Sequence, residues 1–393
     1  MALQPAAGAI DLNPQQVELN HQLIKRLSEV YKLWGYEEVS PPRVERLDTL
    51  KAGGAISSED IVRLVSSDPL GLRPEMTASI ARAACTRLAE KPRPLRLWAS
   101  GTVFENRPSE EGGVSIQENL KSGVELFGVK EIAAEMELLS LLLASLKTLD
   151  LKKVHNTKVL IGHTGLMELI LCSVSDEYKS QVKKALINFN RLALENIEIE
   201  KEIKDSLIEI LGCRGSSNKV VDKLTSFFGN HIVIEELKRL ITLIQPTANA
   251  QNVDIQVDPT FQPHFELYTG IVFQIVCQGK SSPVIIARGG RYDELVRICG
   301  AKREFSAGVG FSFAIDEIRE IITDTNNNVT KSPQTTLVAY HKDISLEVAL
   351  ERQAVLHSKG LQAVVDISSS LNKEEAEERM AVRGYKQLEW IDK

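Results

Sequence analysis

Apolar residues recur at helical spacing through Leu19, Leu23, Leu27 and Val30, which predicts an amphipathic helix over 15–33 that "WGYEEVSPP" then stops. Pro41 and Pro42 suit an edge or a junction. "PEMTASIARAACTRLAE" restores helical character over 74–90, with Pro74 placed for the first turn. "LRLWASGTVF" (95–104) and "VSIQENLKSGVELF" (114–127) read as two strands joined by the polar hairpin loop "ENRPSEEGG". If the second strand is regular, Gln117, Asn119, Lys121, Gly123 and Glu125 share one face, while Glu118, Leu120, Ser122 and Val124 share the other. A strong helix follows over 130–149, then a strand and helix in "TKVLIGHTGLMELIL". The stretch 176–245 is mostly helical and reads as an insertion. Strand character returns at 253–258, 270–277 and 283–287, and "GVGFSFAIDEIREII" (308–322) is a strand running into a helix.

That order predicts an α+β protein: one mixed domain over 1–322 whose antiparallel sheet is completed after the helical insertion. The polar, turn-rich stretch 323–334 reads as a linker. Behind it, "TTLVAY", a helix over 344–358, "LQAVVDI", a charged helix over 373–382 and "KQLEWI" predict a small three-stranded α/β domain over 335–393.

Charge narrows the function classes. Lys plus Arg number 47 against 53 Asp plus Glu, a formal charge of -6, which offers no general attraction for a phosphate backbone and makes a nucleic-acid partner unexpected. The five cysteines lie far apart without metal-ligand spacing, so free thiols in a reducing compartment are expected, and no metal. "MALQPAAGAIDLNPQQ" has neither the basic start nor the apolar core of a secretory signal, and "EMELLSLLLASLKTL" is too short to span a bilayer. A cytoplasmic protein with no membrane partner is the expectation.

Three stretches concentrate polar groups beside strands. In "LRPEMT", Glu75 and Thr77 offer an acceptor and a hydroxyl to an ammonium or imidazole group, although Glu75 serves equally well as a helix cap. Glu125 on an inward face needs a partner; on an outward one it is simply solvated. In "ARGGRYDELV", Gly289 and Gly290 permit positive backbone angles or close approach, Arg291 can pair with an acid or anion, and Tyr292 can pack beneath it. A structural turn explains that string as well. "GVGFSF" lacks the spacing of a phosphate-binding fingerprint.

Taken in order, "GYEEVSPPRVE", "LRPEMT", "YTGIVF" and "GGRYDELV" resemble the dimer-forming first motif, amino-acid loop, histidine-binding strand and facing glycine-rich loop of class II aminoacyl-tRNA synthetases of the histidyl branch. The likeness spans nearly the whole chain, and the last domain resembles a shortened anticodon-binding domain. It implies histidine binding by Glu75, Thr77, Glu125 and Tyr268, with Gly289, Gly290, Arg291 and Tyr292 as a pocket wall. Adenylate chemistry is another matter. The arginine that follows the phenylalanine of the family's second motif is Glu105 here. The arginine before the histidine-binding strand is Pro263, the motif 3 arginine is Glu317, and Lys121 replaces a histidine-reading glutamine. Each lost charge-assisted contact to a transition state costs on the order of several kcal/mol.

With those losses the chain most resembles the synthetase-like regulatory subunits of ATP phosphoribosyltransferase. The resemblance implies a noncatalytic subunit without catalytic residues or cofactors of its own. It implies a short-form catalytic subunit as partner, self-association through the synthetase-like domain, a hetero-octamer, and histidine as feedback effector. An atypical histidyl-tRNA synthetase and a synthetase-derived RNA-binding protein are the alternatives.

Overall fold

Asn13 starts the first helix, α1 (Pro14–Leu33), by a capping box: its side chain accepts from the Gln16 amide at 2.9 Å, and the Gln16 side chain accepts from the Asn13 amide at 2.9 Å. Leu23, Leu27 and Tyr31, one helical turn apart, are fully buried, and Gly35 at φ +80° carries the chain out of the helix. The computed structural model describes residues 5–52, 57–108, 112–262, 267–325 and 335–392, the last two residues of the fourth segment by backbone alone. Two units divide after Thr325.

The first unit continues with β1 (Glu37–Glu38), β2 (Val44–Arg46), α2 (Leu47–Lys51), β3 (Leu70–Leu72) and α3 (Thr77–Cys85). Next come β4 (Leu95–Pro108), β5 (Val114–Phe127), α4 (Ala133–Lys147), β6 (Lys158–His163) and α5 (Thr164–Leu171). The helical stretch comprises α6 (Asp176–Ile187), α7 (Arg191–Glu195), α8 (Lys201–Leu211), a short β7 (Gly215–Ser216), α9 (Ser217–Phe228) and α10 (Ile232–Ala250). The unit closes with β8 (Asp254–Val257), β9 (Ile271–Gln278), β10 (Pro283–Arg291), α11 (Asp293–Ile298), β11 (Gly308–Ala314) and α12 (Ile315–Thr325). Its nine-stranded sheet has the order β1-β4-β5-β11-β10-β9-β6-β8-β7. The run from β4 to β6 is antiparallel throughout, so the sheet's centre joins strands far apart in sequence.

The two faces of this sheet bury different sets. Trp98, Val124, Leu126, Phe273, Ile275, Phe311 and Phe313 point to one side, where α1, α4, α10 and α12 cover them. Leu95, Leu97, Phe127 and Tyr292 point to the other, under α3 and α11. The inserted helices do not stand apart from this core. Residues of α9 and α10, among them Val220, Leu237 and Ile244, join the first set, whereas α6 to α8 close a satellite cluster with α5 around Met167, Val182, Leu194 and Leu207.

Element boundaries differ from expectation where burial or side-chain bonding outweighs local signals. α10 runs through Pro246 to Ala250, past the expected end at 245, because Ile244 and Ala248 are buried on either side of the proline. An interior proline costs about 3 kcal/mol, and that burial offsets it. β4 extends to Pro108, pairing the polar "ENRP" with the start of β5, so the first four residues of the expected loop are ladder. α3 is shorter than 74–90. It begins at Thr77, where the Glu75 carboxylate accepts from the Ala78 amide at 2.9 Å, so Pro74 precedes the first turn. α12 continues to Thr325, three residues into the stretch read as linker.

The second unit is a parallel sheet of β12 (Thr336–Tyr340), β13 (Ala363–Val365) and β14 (Gln387–Ile391) in the order β13-β12-β14, with α13 (Leu346–Ser358) and α14 (Lys373–Val382). Val338, Tyr340, Ala349, Leu356, Ala363 and Val365 form its core. Asp366, fully buried, is neutralised by Arg379 and Arg383, each at 3.2 Å.

Candidate functional site

Sheet register assembles the site. Paired residues of antiparallel strands share a face, and one such row reads Glu125 on β5, Gly310 on β11, Gly290 on β10 and Val272 on β9. The next row reads Gly123, Ser312, Arg288 and Gln274, and Lys121 faces Ala314 beyond it. On the β4 side, Glu105 pairs with Gln117 in the same phase. This is the face under α3 and α11, so the expected alternation of β5 places Lys121, Gly123 and Glu125 together.

Glu125 is the hub. The Thr77 hydroxyl donates to its Oε1 at 2.7 Å and the Tyr292 hydroxyl donates to its Oε2. Thr77 is the first residue of α3 and Tyr292 is the cap residue that precedes α11, so the two covering helices are both tied to one carboxyl. Burial pushes Glu125 up to about 8; the Thr77 and Tyr292 bonds oppose the rise and the charge of Glu75 adds to it. Glu75 is raised as well, chiefly by burial, and its Oε2 is buried without a partner while Oε1 caps α3. The Tyr268 hydroxyl is held far above the usual phenol range by burial and then by Glu125. Two acids with hydroxyls around them, and no cation among the described residues bonded to either, can accept a ligand's N–H groups or positive charge.

An acid whose native pKa exceeds its unfolded value binds its proton more tightly when folded. The stability it contributes is complete below the unfolded value and is lost as pH rises through the native one. From pH 6 to pH 9, wild type should therefore lose urea-unfolding stability relative to Glu125→Gln, which has no proton to lose at this position. Parallel pH profiles for the two proteins would contradict a protonated Glu125.

Glycines clear the floor. A Cβ on Gly290 would sit 2.6 Å from the Tyr268 ring, and one on Gly310 would overlap the Glu125 carboxylate. Neither has a positive φ; both are needed for close approach. The string "ARGGR" is thus the end of a strand and not a loop.

This corrects the expected pocket wall. Alternation sends Gly290 and Tyr292 to the site face but Gly289 and Arg291 to the opposite one. A Cβ on Gly289 would meet Phe311 and Phe273 of the main core at 2.6 and 2.7 Å. Arg291, 6% exposed, grips Glu135 of α4 through Nε at 2.5 Å and Nη2 at 2.7 Å, and also bonds the Val129 carbonyl and Asp293. Burial works against its charge, and the Glu135 bonds outweigh it, leaving Arg291 above its usual value. It pins a strand end to a helix on the face opposite Glu125.

Two of the degenerate positions, Glu105 and Lys121, have found internal partners. Glu105 is bridged by Arg107 at 2.7 Å and Lys121 at 3.6 Å. Lys121 lies below its usual value because it is buried and faces Arg288, with Glu105 opposing the shift. Asp316 accepts from the Leu120 amide and pairs with Arg319, each at 2.5 Å; Arg319 in turn donates to Asn20 of α1 at 3.0 Å. Glu317 on α12 is raised by burial and by Glu320 and Asp316, away from the Glu125 row. Pro263 lies outside the described residues. Glu135, Arg319 and Asn20 were not picked out in the sequence, since their roles depend on pairs more than 100 positions apart.

The histidyl-tRNA synthetase family model matches residues 8–318. An ATP phosphoribosyltransferase regulatory subunit of Prochlorococcus marinus (strain MIT 9303) is 57% identical over 392 residues, covering 100% of both chains. The chain belongs to the family of ATP phosphoribosyltransferase regulatory subunits. A regulatory subunit of Synechococcus sp. (strain WH7803) is 50% identical over 391 residues, again at 100% of each. Among solved structures, an ATP phosphoribosyltransferase regulatory subunit/histidyl-tRNA synthetase from Bacillus halodurans C superposes with a TM-score of 0.81 at 23% identity, over 99% of this chain and 98% of that one. The histidyl-tRNA synthetase of Nostoc sp. PCC 7120 gives 0.77 at 18%, over 98% and 90%. The regulatory-subunit family thus shares the class II synthetase fold that the ordered motifs resemble. Among the described residues, no helix is long and apolar enough to cross a membrane, and no cluster of His, Cys, Asp or Glu is set to hold a metal.

Proposed function

We propose that this chain is the noncatalytic regulatory subunit of an ATP phosphoribosyltransferase, active with a separate short catalytic chain in the cytoplasm and responsive to histidine. Full-length identity to regulatory subunits carries this reading. Two features support it: Thr77 and Tyr292 hold the Glu125 carboxyl, and Glu105, where the synthetase motif carries an arginine, ties up in ion pairs Arg107 and Lys121, which would otherwise be free for a triphosphate. Glu75, Thr77, Glu125 and Tyr268 would hold histidine's nitrogen groups. The 1–325 unit serves as the synthetase-like, self-associating body of a hetero-octamer, and the 335–392 unit as a reduced anticodon-binding-like domain.

Purified separately and mixed, the two chains test the proposal. Transferase activity should rise by at least tenfold only in the mixture, fall on adding histidine, and co-elute at a mass set by both chains. Absence of association and activation would overturn it. Histidine-dependent exchange of pyrophosphate into ATP by this chain alone would instead make it a synthetase.

A further inference from the structure

Arg288 is exposed on the site face of β10, and its guanidinium makes no ion pair with a described residue. Register places it two strands across from Glu125 and one alternation step along, through Gly123, Ser312, Gly310 and Gly290. With strands about 4.8 Å apart and about 3.4 Å per residue, the two Cα atoms are roughly 12 Å apart. Between them the floor carries three glycines and one serine, so no large side chain rises from it. Glu125 and Tyr268 occupy the space over Gly310 and Gly290 at one end of that span, and Arg288 acts on Tyr268 and Lys121 from the other, so a ligand bridging the two ends would lie along this row of small residues.

We propose that Arg288 reads the carboxylate of the amino acid whose nitrogen-bearing end Glu125 holds, so that the site recognises a whole zwitterion and not a cation alone. The assignment rests on the histidine-binding reading of the Glu125 hub. Charge supports the direction of the ligand. Glu75 and Glu125, carboxyls that burial drives toward the protonated form and that a cationic group would ionise, stand at one end with no cation bonded to them among the described residues, and Arg288 stands at the other with Lys121 between. The acid at that basic end, Glu105, is already shared between Arg107 and Lys121. Arg288 also contributes to the depressed pKa of Lys121, a repulsion that an anion between the two would relieve. Lys121 is the weaker candidate for the carboxylate because Glu105 already engages it.

Calorimetric titration of the full chain with histidine, histamine and inorganic pyrophosphate tests this, comparing wild type with Arg288→Ala, Arg288→Lys and Glu125→Gln. Histamine keeps the imidazole and amine and lacks the carboxylate. Wild type should prefer histidine to histamine by about 10- to 100-fold, the worth of a charge-assisted bond. Arg288→Ala should erase that preference by weakening histidine alone, Arg288→Lys should restore part of it, and Glu125→Gln should weaken both ligands. A preference unchanged in Arg288→Ala overturns the role of Arg288 while leaving the histidine site standing. Loss of pyrophosphate binding with the preference intact makes Arg288 a phosphate contact and also overturns it. If wild type binds neither histidine nor histamine, both the role and the site fall.

Discussion

Arg291→Ala should cost about 3–5 kcal/mol of unfolding free energy, read as a lower urea midpoint at unchanged slope. The loss comes from Glu135, 8% exposed on α4, whose two carboxylate oxygens both accept from the Arg291 guanidinium. Without it, a buried carboxylate has to ionise unpaired or take up a proton, and either is expensive. The same substitution frees the Val129 carbonyl and one contact to Asp293, whose Oδ1 also accepts from the Gly308 amide at 3.0 Å at the start of β11. Adding Glu135→Ala should return part of the stability, since removing both charges leaves no buried ion. Histidine affinity should hardly move in the double variant, because Arg291 faces away from Glu125. A single variant within 1 kcal/mol of wild type, or one that loses histidine binding while remaining stable, would contradict the assignment of Arg291 to the opposite face.

Gly310→Ala should do the reverse, abolishing the histidine response at a moderate cost in stability. The added methyl would overlap the Glu125 carboxylate and press on the Val124 carbonyl at 2.5 Å. The backbone contact cannot yield without opening the β5–β11 ladder, so Glu125 has to leave, giving up its bonds from Thr77 and Tyr292. Overpacking of this kind costs about 1–3 kcal/mol, while histidine affinity should fall by at least 30-fold, the value of a lost charge-assisted bond. The stability difference between pH 6 and pH 9 should also shrink, as Glu125 moves toward solvent. Wild-type affinity together with an unchanged pH profile in Gly310→Ala would place the carboxylate somewhere else.

The two variants also mark how far the sequence could be read. Glu75, Thr77, Glu125 and Tyr268 were named from strand phase and from the ordered motifs, and sheet register brings Glu125 together with Thr77 and the acid of Glu75. As a string, "GGRYDELV" resembles a glycine-rich loop, in which alternation has no meaning and Arg291 belongs to the pocket wall. Once those residues are a strand paired with β9 and β11, odd and even positions part to opposite faces, and Arg288, not Arg291, shares the face of Glu125. The spacing of "GVGFSF" excludes a phosphate-binding fingerprint without saying what its glycines accommodate; for Gly310 it is a carboxylate 185 positions earlier in the chain.

The insertion shows the same limit. Helical periodicity predicted a helical block, yet periodicity says only that each helix has an apolar face, not what will cover it. α9 and α10 turn theirs onto the main sheet and α6 to α8 onto α5. α10 passes through a proline because of that cover.

Local chemistry alone, written in hydrophobic period, caps and motif order, therefore located most strands and helices and carried the family resemblance, but it did not show that "ARGGR" ends a strand. Those properties depend on neighbours a few residues apart or on the presence of a residue type. Which acid meets which base did not follow from it. Glu105 with Lys121, Arg291 with Glu135, Arg319 with Asn20, and Glu125 between Thr77 and Tyr292 are all pairings across the sheet or onto a covering helix. Such pairs depend on strand register, in which a slip of one residue moves every side chain to the other face, and register was set only when β5, β11, β10 and β9 came together.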